Sequence, residues 1–171
     1  YKTGQDNQRD NGIAIGNQAG LTNQNSYSIA IGAGAGTDNQ RTNSIAIGNS
    51  AGNSNQNSYS IAIGAGAGYN NQNNNSVAIG SNAGRNNQNN SSVAIGASAG
   101  YNSQNTNCIA IGTDAGNYYQ GIGSSNTVGG NDCIAIGRYA GKTNQGKTSI
   151  GIGWSAGQNY QRDHGIALGS A

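Results

Sequence analysis

The sequence predicts an all-β fold, a parallel β-solenoid (β-roll) of ten 16-residue coils. Three observations predict it: a short apolar unit that recurs at fixed spacing, Gly columns that follow it, and one Gln in every coil. The apolar unit is Ser-Ile-Ala-Ile-Gly, as in residues 28–32, and its first Ile or Val occurs ten times. The step between these residues is 16 everywhere except once, where it is 25. A fixed period of this length is typical of repeat proteins whose units stack on one another.

The composition argues against several function classes. The chain has 171 residues, including 30 Gly, 29 Asn and 13 Gln, and it contains no Pro, Phe, Met or Glu. Only 8% of the residues are charged, and the net charge of +2 is too small to indicate binding to nucleic acid or to an anionic membrane. No apolar run approaches the length needed to span a bilayer. We therefore expect no nucleic-acid partner and no membrane insertion.

Each coil has room for two short strands and two turns. The alternation Ile-Ala-Ile places both large side chains on one face of a strand and Ala on the other, and we expect the large ones to form the core. One Gly column runs from Gly16 to Gly169 and a second from Gly20 to Gly157. Both predict corners with positive φ. Coils stacked about 4.8 Å apart would form a rod roughly 50 Å long.

The whole chain, residues 1–171, is predicted to be one repeat domain. Its coils are regular over residues 1–120, an inserted loop occupies residues 121–132, and the coils of residues 133–171 diverge from the consensus. Insertions in solenoids leave at a turn and lie on one face. This one is either a tolerated surface excursion or a loop that contacts a partner.

The predicted core is too small for an isolated chain. Two Ile-sized side chains per coil contribute roughly 3–6 kcal/mol on burial, whereas ordering 16 residues costs roughly 24 kcal/mol. The other strand face carries small residues only, so it predicts a flat surface for side-by-side assembly. The residues of this predicted oligomer face are Ser28, Ala30, Ser44, Ala46, Ser60, Ala62, Ser76, Ala78, Ser92 and Ala94.

The repeated unit also carries a family resemblance. Asn-Ser-Val-Ala-Ile-Gly at residues 75–80, followed by a small-residue turn, resembles the head repeat of trimeric autotransporter adhesins (the YadA-like or haemagglutinin-type repeat). Similar arrays occur in viral and phage fibre proteins. The resemblance covers nearly all of the chain and implies a left-handed parallel β-roll, three chains around one axis, and a surface-exposed fibre or adhesin role.

The Gln column is the most regular polar feature of the sequence. Amides stacked in register can hydrogen bond along the rod, as they do in cross-β assemblies. The column is either a structural ladder that braces the coil or an exposed amide array that binds a sugar or another polymer. Its members are Gln8, Gln24, Gln40, Gln56, Gln72, Gln88, Gln104, Gln120, Gln145 and Gln161.

The two cysteines, Cys108 and Cys133, occupy the Ser column in consecutive coils on either side of the insertion. Parallel neighbours lie about 4.8 Å apart, which is within the Cα range for a disulfide, although parallel side chains make the torsion awkward. They are either free thiols in place of Ser or a disulfide at the base of the loop. Their spacing does not indicate a metal site.

No arrangement in the sequence indicates catalysis, a cofactor or a metal. The chain has one His, no Glu and six Asp in scattered turn positions, so it offers neither paired carboxylates nor a nucleophile beside a base. The Asp column of calcium-binding β-rolls is absent. We expect a protein that is not an enzyme and has no catalytic, cofactor-binding or metal-binding residues.

The last coils concentrate aromatic and basic residues. Such residues on an exposed face are typical of binding hot spots, while a solvated end of the rod is the alternative interpretation. The residues of this candidate partner surface are Arg138, Tyr139, Trp154, Tyr160, Arg162 and His164.

These observations together predict a non-enzymatic structural or adhesive fibre segment on an extracellular cell or virion surface. We expect a homotrimer that displays polar turns to a host glycan or surface protein. One alternative is an extracellular filament subunit that stacks end to end, because neither terminus of the sequence shows an obvious cap. Another is an ice- or surface-binding solenoid that uses the flat Ser-Ala-Gly face.

Overall fold

The computed structural model describes residues 3–4, 6–121 and 131–170, in which all regular elements are short β-strands. The fifteen strands, each of three residues, are β1 (Ile13–Ile15), β2 (Ile29–Ile31), β3 (Ile45–Ile47), β4 (Ser54–Gln56), β5 (Ile61–Ile63), β6 (Asn70–Gln72), β7 (Val77–Ile79), β8 (Asn86–Gln88), β9 (Val93–Ile95), β10 (Asn102–Gln104), β11 (Ile109–Ile111), β12 (Tyr118–Gln120), β13 (Ile134–Ile136), β14 (Ile150–Ile152) and β15 (Ile166–Leu168).

The strands form two parallel sheets. A ten-stranded sheet contains the apolar strand of every coil, in the order β1-β2-β3-β5-β7-β9-β11-β13-β14-β15. A five-stranded sheet, in the order β12-β10-β8-β6-β4, contains the second strand of the central coils. Isolated bridges such as Asp6↔Thr22 and Thr143↔Asn159 continue this second ladder at both ends. The structure confirms the predicted parallel β-solenoid with coils of about 16 residues.

Backbone conformation explains the Gly columns. Gly80 ends the β7 unit with φ 126°, and a Cβ there would lie 2.7 Å from the carbonyl oxygen of Gly96 in the next coil. Only Gly adopts this region readily. The corner therefore needs Gly both for its dihedral angle and for the close approach of the next coil.

The second strand explains the Asn content. The middle residues of β4, β6 and β8 are Asn55, Asn71 and Asn87, with φ of 57°, 54° and 55°. Asn is among the few residues other than Gly that enter the left-handed region routinely. Each coil thus requires a residue that tolerates positive φ within its second strand, and Asn meets this requirement while adding an amide.

The interior contains Ala, Ser and Gln, and the predicted orientation of the first strand is wrong. In β2, Ala30 is fully buried beside the buried Ser28, whereas Ile29 and Ile31 on either side of Ala30 are only partly buried. The same holds in the neighbouring coils. The predicted oligomer face is therefore core and is not available to another chain: Ser28, Ala30, Ser44, Ala46, Ser60, Ala62, Ser76, Ala78, Ser92 and Ala94 are each 0% exposed.

The thickness of the coil gives the physical reason. A Cβ added at Gly84 would lie 2.5 Å from Oε1 of Gln88 and 3.2 Å from Cβ of Ala78. The space between the two sheets is thus filled by a Gln amide and an Ala methyl. An Ile side chain does not fit there, so the Ile-Ala-Ile alternation is used in the opposite sense, with the large residues outside. The ice- or surface-binding alternative is wrong in the form predicted, because it required the Ser and Ala columns to be exposed.

The insertion is described only at its base. Residues 122–130 lie outside the described residues. Both interpretations of the predicted loop at residues 121–132, a surface excursion or a partner contact, therefore remain predictions. The coil stays connected on either side: the backbone N–H of Gly121 donates to the carbonyl of Gln145 at 2.8 Å. Asn131 is buried and begins the return to β13.

Candidate functional site

The Gln column lies inside the solenoid. Eight of its members are 0% exposed: Gln24, Gln40, Gln56, Gln72, Gln88, Gln104, Gln120 and Gln145. In each of these coils Nε2 donates across the core to the carbonyl of the first strand residue, as Gln72 does to Ile61 at 2.7 Å. Bonds from amide to amide link Gln40 through Gln104 at 3.2–3.3 Å. These Gln side chains are therefore structural and are not exposed to a polymer ligand.

Asn side chains form further ladders on the outside. In the column with positive φ, Nδ2 of each Asn donates to Oδ1 of the next from Asn7 to Asn87, at 3.1–3.3 Å. A second ladder links Asn57 to Asn105 through Asn73 and Asn89 at 2.9–3.1 Å. The polar surface of the rod is thus an ordered array of amides, which the Gln column alone did not predict.

The outer side of the ten-stranded sheet is apolar, and we call it the aliphatic face. It consists of two parallel rows of branched side chains in register from coil to coil, as in Ile45↔Ile61 and Ile47↔Ile63. The residues of the aliphatic face are Ile13, Ile15, Ile29, Ile31, Ile45, Ile47, Ile61, Ile63, Val77, Ile79, Val93, Ile95, Ile109, Ile111, Ile134, Ile136, Ile150, Ile152, Ile166 and Leu168.

Most of these side chains are half-buried, and those of the first and last strands are exposed. Ile95, in the middle of the sheet, is 36% exposed, and Ile152 is 40% exposed. At a strand rise of about 3.3 Å the two rows lie roughly 7 Å apart, and ten strands at about 4.8 Å give a strip roughly 45 Å long. A contiguous apolar strip of this kind on a folded chain marks an interaction surface.

A second cluster joins aromatic and basic residues, and we call it the tyrosine–arginine stack. Tyr69, Arg85 and Tyr101 lie in one turn column, and Tyr118 lies in the next column of the following coil. The guanidinium of Arg85 lies 5.0 Å from the ring centroid of Tyr69 and 5.8 Å from that of Tyr101. The ring of Tyr101 in turn lies 6.3 Å from that of Tyr118. Cation–π contacts at such distances hold an arginine in place at a surface.

The candidate partner surface of the last coils divides into two groups. Arg138 and Tyr139 follow the corner after β13, with the guanidinium 4.7 Å from the ring, and Trp154 occupies the place of Arg138 in the next coil with 54% of its surface exposed. The cluster also includes Lys142, whose Nζ lies 4.6 Å from the ring of Tyr139. The turn after the first strand therefore brings Arg138, Tyr139 and Lys142 together.

The other three residues lie on the opposite half of the coil. Tyr160 is 74% exposed in the position that Asn occupies in the central coils, and Arg162 follows it. His164 lies farther along, where its Nδ1 and Oγ1 of Thr148 share a hydrogen bond. The structure thus does not unite the six predicted residues into one surface.

The cysteines form a disulfide. Cys108 and Cys133 are bonded, with their Cα atoms 4.6 Å apart, and both are fully buried. Of the two interpretations that the sequence left open, the structure shows the disulfide at the base of the insertion.

The described residues contain no group of three or more His, Cys, Asp or Glu side chains that could hold a metal ion. Within the same part of the chain, no helix has the length and apolarity that a bilayer requires.

Sequence reasoning missed the aliphatic face and most of the tyrosine–arginine stack. Period-two alternation is identical for a strand with Ile inside and one with Ile outside, so it could not decide the orientation. The stack did have a signal. Tyr69 and Tyr101 are two coils apart in one column, and Arg85 lies 16 residues from each.

Comparisons with known proteins add no information on the family or the function of this chain. Comparison with protein-family models, with curated proteins and with solved structures finds no significant match to this chain.

Proposed function

We propose that this protein is a non-enzymatic, structural and adhesive segment of an extracellular fibre, in which three copies associate through the aliphatic face. The observation that carries the proposal is that face: two rows of branched aliphatic side chains line its outer side along all ten strands, and none of them is fully buried. Water contact with so many aliphatic groups is unfavourable by about 25 cal/mol per Å². Association therefore supplies the apolar burial that the Ala, Ser and Gln interior lacks.

Another copy of the same chain is the partner that fits best. Its coils have the same spacing, so rows of Ile on two copies stay in register along the whole rod. A partner with a different spacing would lose register within a few coils. Two rows per face also allow each chain to contact two neighbours, one with each row, which a closed threefold arrangement requires.

The outer amide ladders and turns remain for attachment. They lie on other sides of the coil than the aliphatic face, and they are polar, regular and partly exposed. A host glycan or surface protein is the partner that we propose for them. The buried disulfide supports a location outside the cytosol, on a cell or virion surface, because disulfides persist in oxidising compartments.

The oligomeric state tests the proposal. The variant Ile61→Thr, Ile63→Thr, Val77→Thr, Ile79→Thr replaces the centre of both rows with residues that keep β-propensity and lose apolar surface. We expect the parent chain to be a trimer by light scattering after size exclusion, and the variant to dissociate at least tenfold more readily. The matched control is Asn71→Ser on the amide side, since Ser103 occupies the same column with φ 57°.

The contrary results are clear. A parent chain that is a stable monomer at micromolar concentration would contradict assembly through this face. Long filaments in electron micrographs, unaffected by the four Thr substitutions, would instead support end-to-end stacking of the coils.

A further inference from the structure

A cavity of about 230 Å³ opens beside the turn that follows β5. It spans three successive coils and includes no residue of the aliphatic face. The residues that line it are Asn49, Ser50, Ala65, Gly66, Tyr69, Ser81, Asn82 and Arg85.

The cavity exists because one coil lacks a side chain. Ser50 and Asn82 occupy the same column in the coils on either side of Gly66. The φ angles of Ser50, Asn82 and Gly66 are all positive, at 53°, 55° and 65°. The turn of this coil is Ala65-Gly66, so its backbone forms a recessed floor between two polar neighbours. A Cβ at Gly66 would lie 2.6 Å from Oδ1 of Asn82, so the Asn82 amide packs closely against this Gly.

Arg85 forms the charged wall of the cavity. Its guanidinium is held by the rings of Tyr69 and Tyr101, and its Nη1 donates to Oδ1 of Asn82 at 2.8 Å. In the part of the chain that the structure describes, no carboxylate forms an ion pair with this guanidinium. Arg85 is thus a positioned cation with donor groups left for a ligand.

A comparison within the chain shows that this turn is unusual. Two coils earlier, the turn Ala33-Gly34 has the same sequence, but there the carbonyl of Gly34 accepts hydrogen bonds from Oγ1 of Thr37 at 2.8 Å and Nδ2 of Asn53 at 3.0 Å. Tyr69 and Arg85 replace Thr37 and Asn53 at the later turn. Among the described residues, none donates to the carbonyl of Gly66. That carbonyl is left as an acceptor on the cavity floor.

We infer that this cavity binds a single anionic sugar residue, with its carboxylate or sulfate group on Arg85. A guanidinium pairs with such anions through parallel N–H bonds. The ring hydroxyls of the sugar then meet the Gly66 carbonyl and the side chains of Asn49, Ser50 and Ser81. The volume is below the roughly 300–1,000 Å³ of pockets for drug-sized ligands, which suits one ring. The inference rests on the proposed function, because it names the class of sugar that the adhesive fibre would bind.

Titration of ¹⁵N-labelled protein with sodium glucuronate, glucose 6-sulfate, glucose and acetate at 0.15 M salt tests the inference. We expect amide shifts around Gly66 and Arg85 with at least one of the two anionic sugars, and at least tenfold weaker shifts with glucose and acetate. The carboxylate and sulfate arms identify which anion the site prefers.

Matched variants locate the site. Gly66→Ser fills the cavity with a residue that Ser50 and Ser98 show to be compatible with this column, and we expect at least a tenfold loss of affinity. Gly34→Ser makes the same change at the closed turn and should leave affinity unchanged. Arg85→Gln should lose at least tenfold, whereas Arg162→Gln, in another column, should not.

Three results would overturn the inference: no shift with either anionic sugar, acetate binding as tightly as they do, or affinity that Gly66→Ser and Arg85→Gln leave intact. The readout is separate from assembly. If the chain is a monomer that still binds glucuronate at Gly66, the fibre proposal fails while the sugar site stands.

Discussion

Buried Gln amides are the residue-scale feature that sets this protein apart from a solenoid with an aliphatic core. Gln72 shows how the amide is satisfied: Nε2 donates to the carbonyls of Ile61 and Ser76 and to Oε1 of Gln88, while its own Oε1 accepts from Gln56. A buried amide without partners costs several kcal/mol. With these partners it links the two sheets and neighbouring coils, so one side chain substitutes for an apolar core residue.

We predict that Gln72→Leu destabilises the fold by about 2–4 kcal/mol, because it leaves buried partners of the amide without their hydrogen bonds. Urea unfolding at one fixed protein concentration measures this, since assembly shifts apparent stability. Gln8→Leu is the control in the same column. Gln8 is exposed, and among the described residues its amide donates to Gly12 at 2.9 Å and to no other group, so we expect a change below about 1 kcal/mol. Equal effects at the two positions would contradict a role of the buried amides in stability.

The same residues show what could be predicted from sequence. The 16-residue period, the parallel stacking and the importance of the Gln column follow from repetition alone. The direction of the Ile side chains does not, because it depends on the distance between the two sheets, and that distance is set by a Gln amide reaching an Ala methyl. The cavity at Gly66 was missed for a related reason. It results from the missing side chain of Gly66 between two coils. In a column-by-column comparison of the sequence, Gly66 looks the same as Gly34 and gives no sign of a cavity.

At the scale of the element, the corner after each first strand fixes how closely coils stack. The backbone of Gly80 approaches that of Gly96 so closely that a Cβ would lie 2.7 Å from its carbonyl oxygen and 2.8 Å from its carbonyl carbon. The contacting atoms of Gly96 belong to the backbone. They cannot move aside without breaking the hydrogen bonds between β7 and β9. The strand, the corner and the next coil are therefore one mechanical unit.

Replacement of this corner Gly should therefore be severe. We predict that Gly80→Ala destabilises the fold by roughly 3 kcal/mol or more, from backbone strain and the clash with Gly96 together. Gly34→Ala is the control. At φ 66° its Cβ would lie 3.3 Å from Oγ of Ser50, a side-chain atom, and we expect a cost of about 1–2 kcal/mol. Thermal unfolding, monitored by circular dichroism, compares the two variants. If Gly80→Ala were as stable as Gly34→Ala, the backbone of this corner would be able to shift and accept a Cβ.

At the scale of the whole molecule, the insertion divides the rod into unequal parts. The ten-stranded sheet crosses it through the pairing of β11 with β13. The five-stranded sheet ends at β12, and beyond it the second ladder continues only through isolated bridges such as Tyr118↔Thr143. In a solenoid each coil is stabilised by its neighbours. The disulfide joins the coils on either side of the insertion, so we expect it to keep the last coils stacked on the rest.

We predict that Cys108→Ser, Cys133→Ser uncouples the last coils without unfolding the others. Ser occupies the same column at Ser92 and Ser149, so the substitution fits the coil. Loss of a cross-link over 25 residues removes about 3–4 kcal/mol of stabilisation. In hydrogen exchange, the amides of β13 and β14 should exchange at least tenfold faster than in the parent chain, while those of β5 and β7 keep their rates, and reduction of the parent chain should reproduce this pattern. Uniform acceleration along the rod would mean that all coils unfold together, and unchanged rates at β13 would mean that the ten-stranded sheet alone holds the two parts in place.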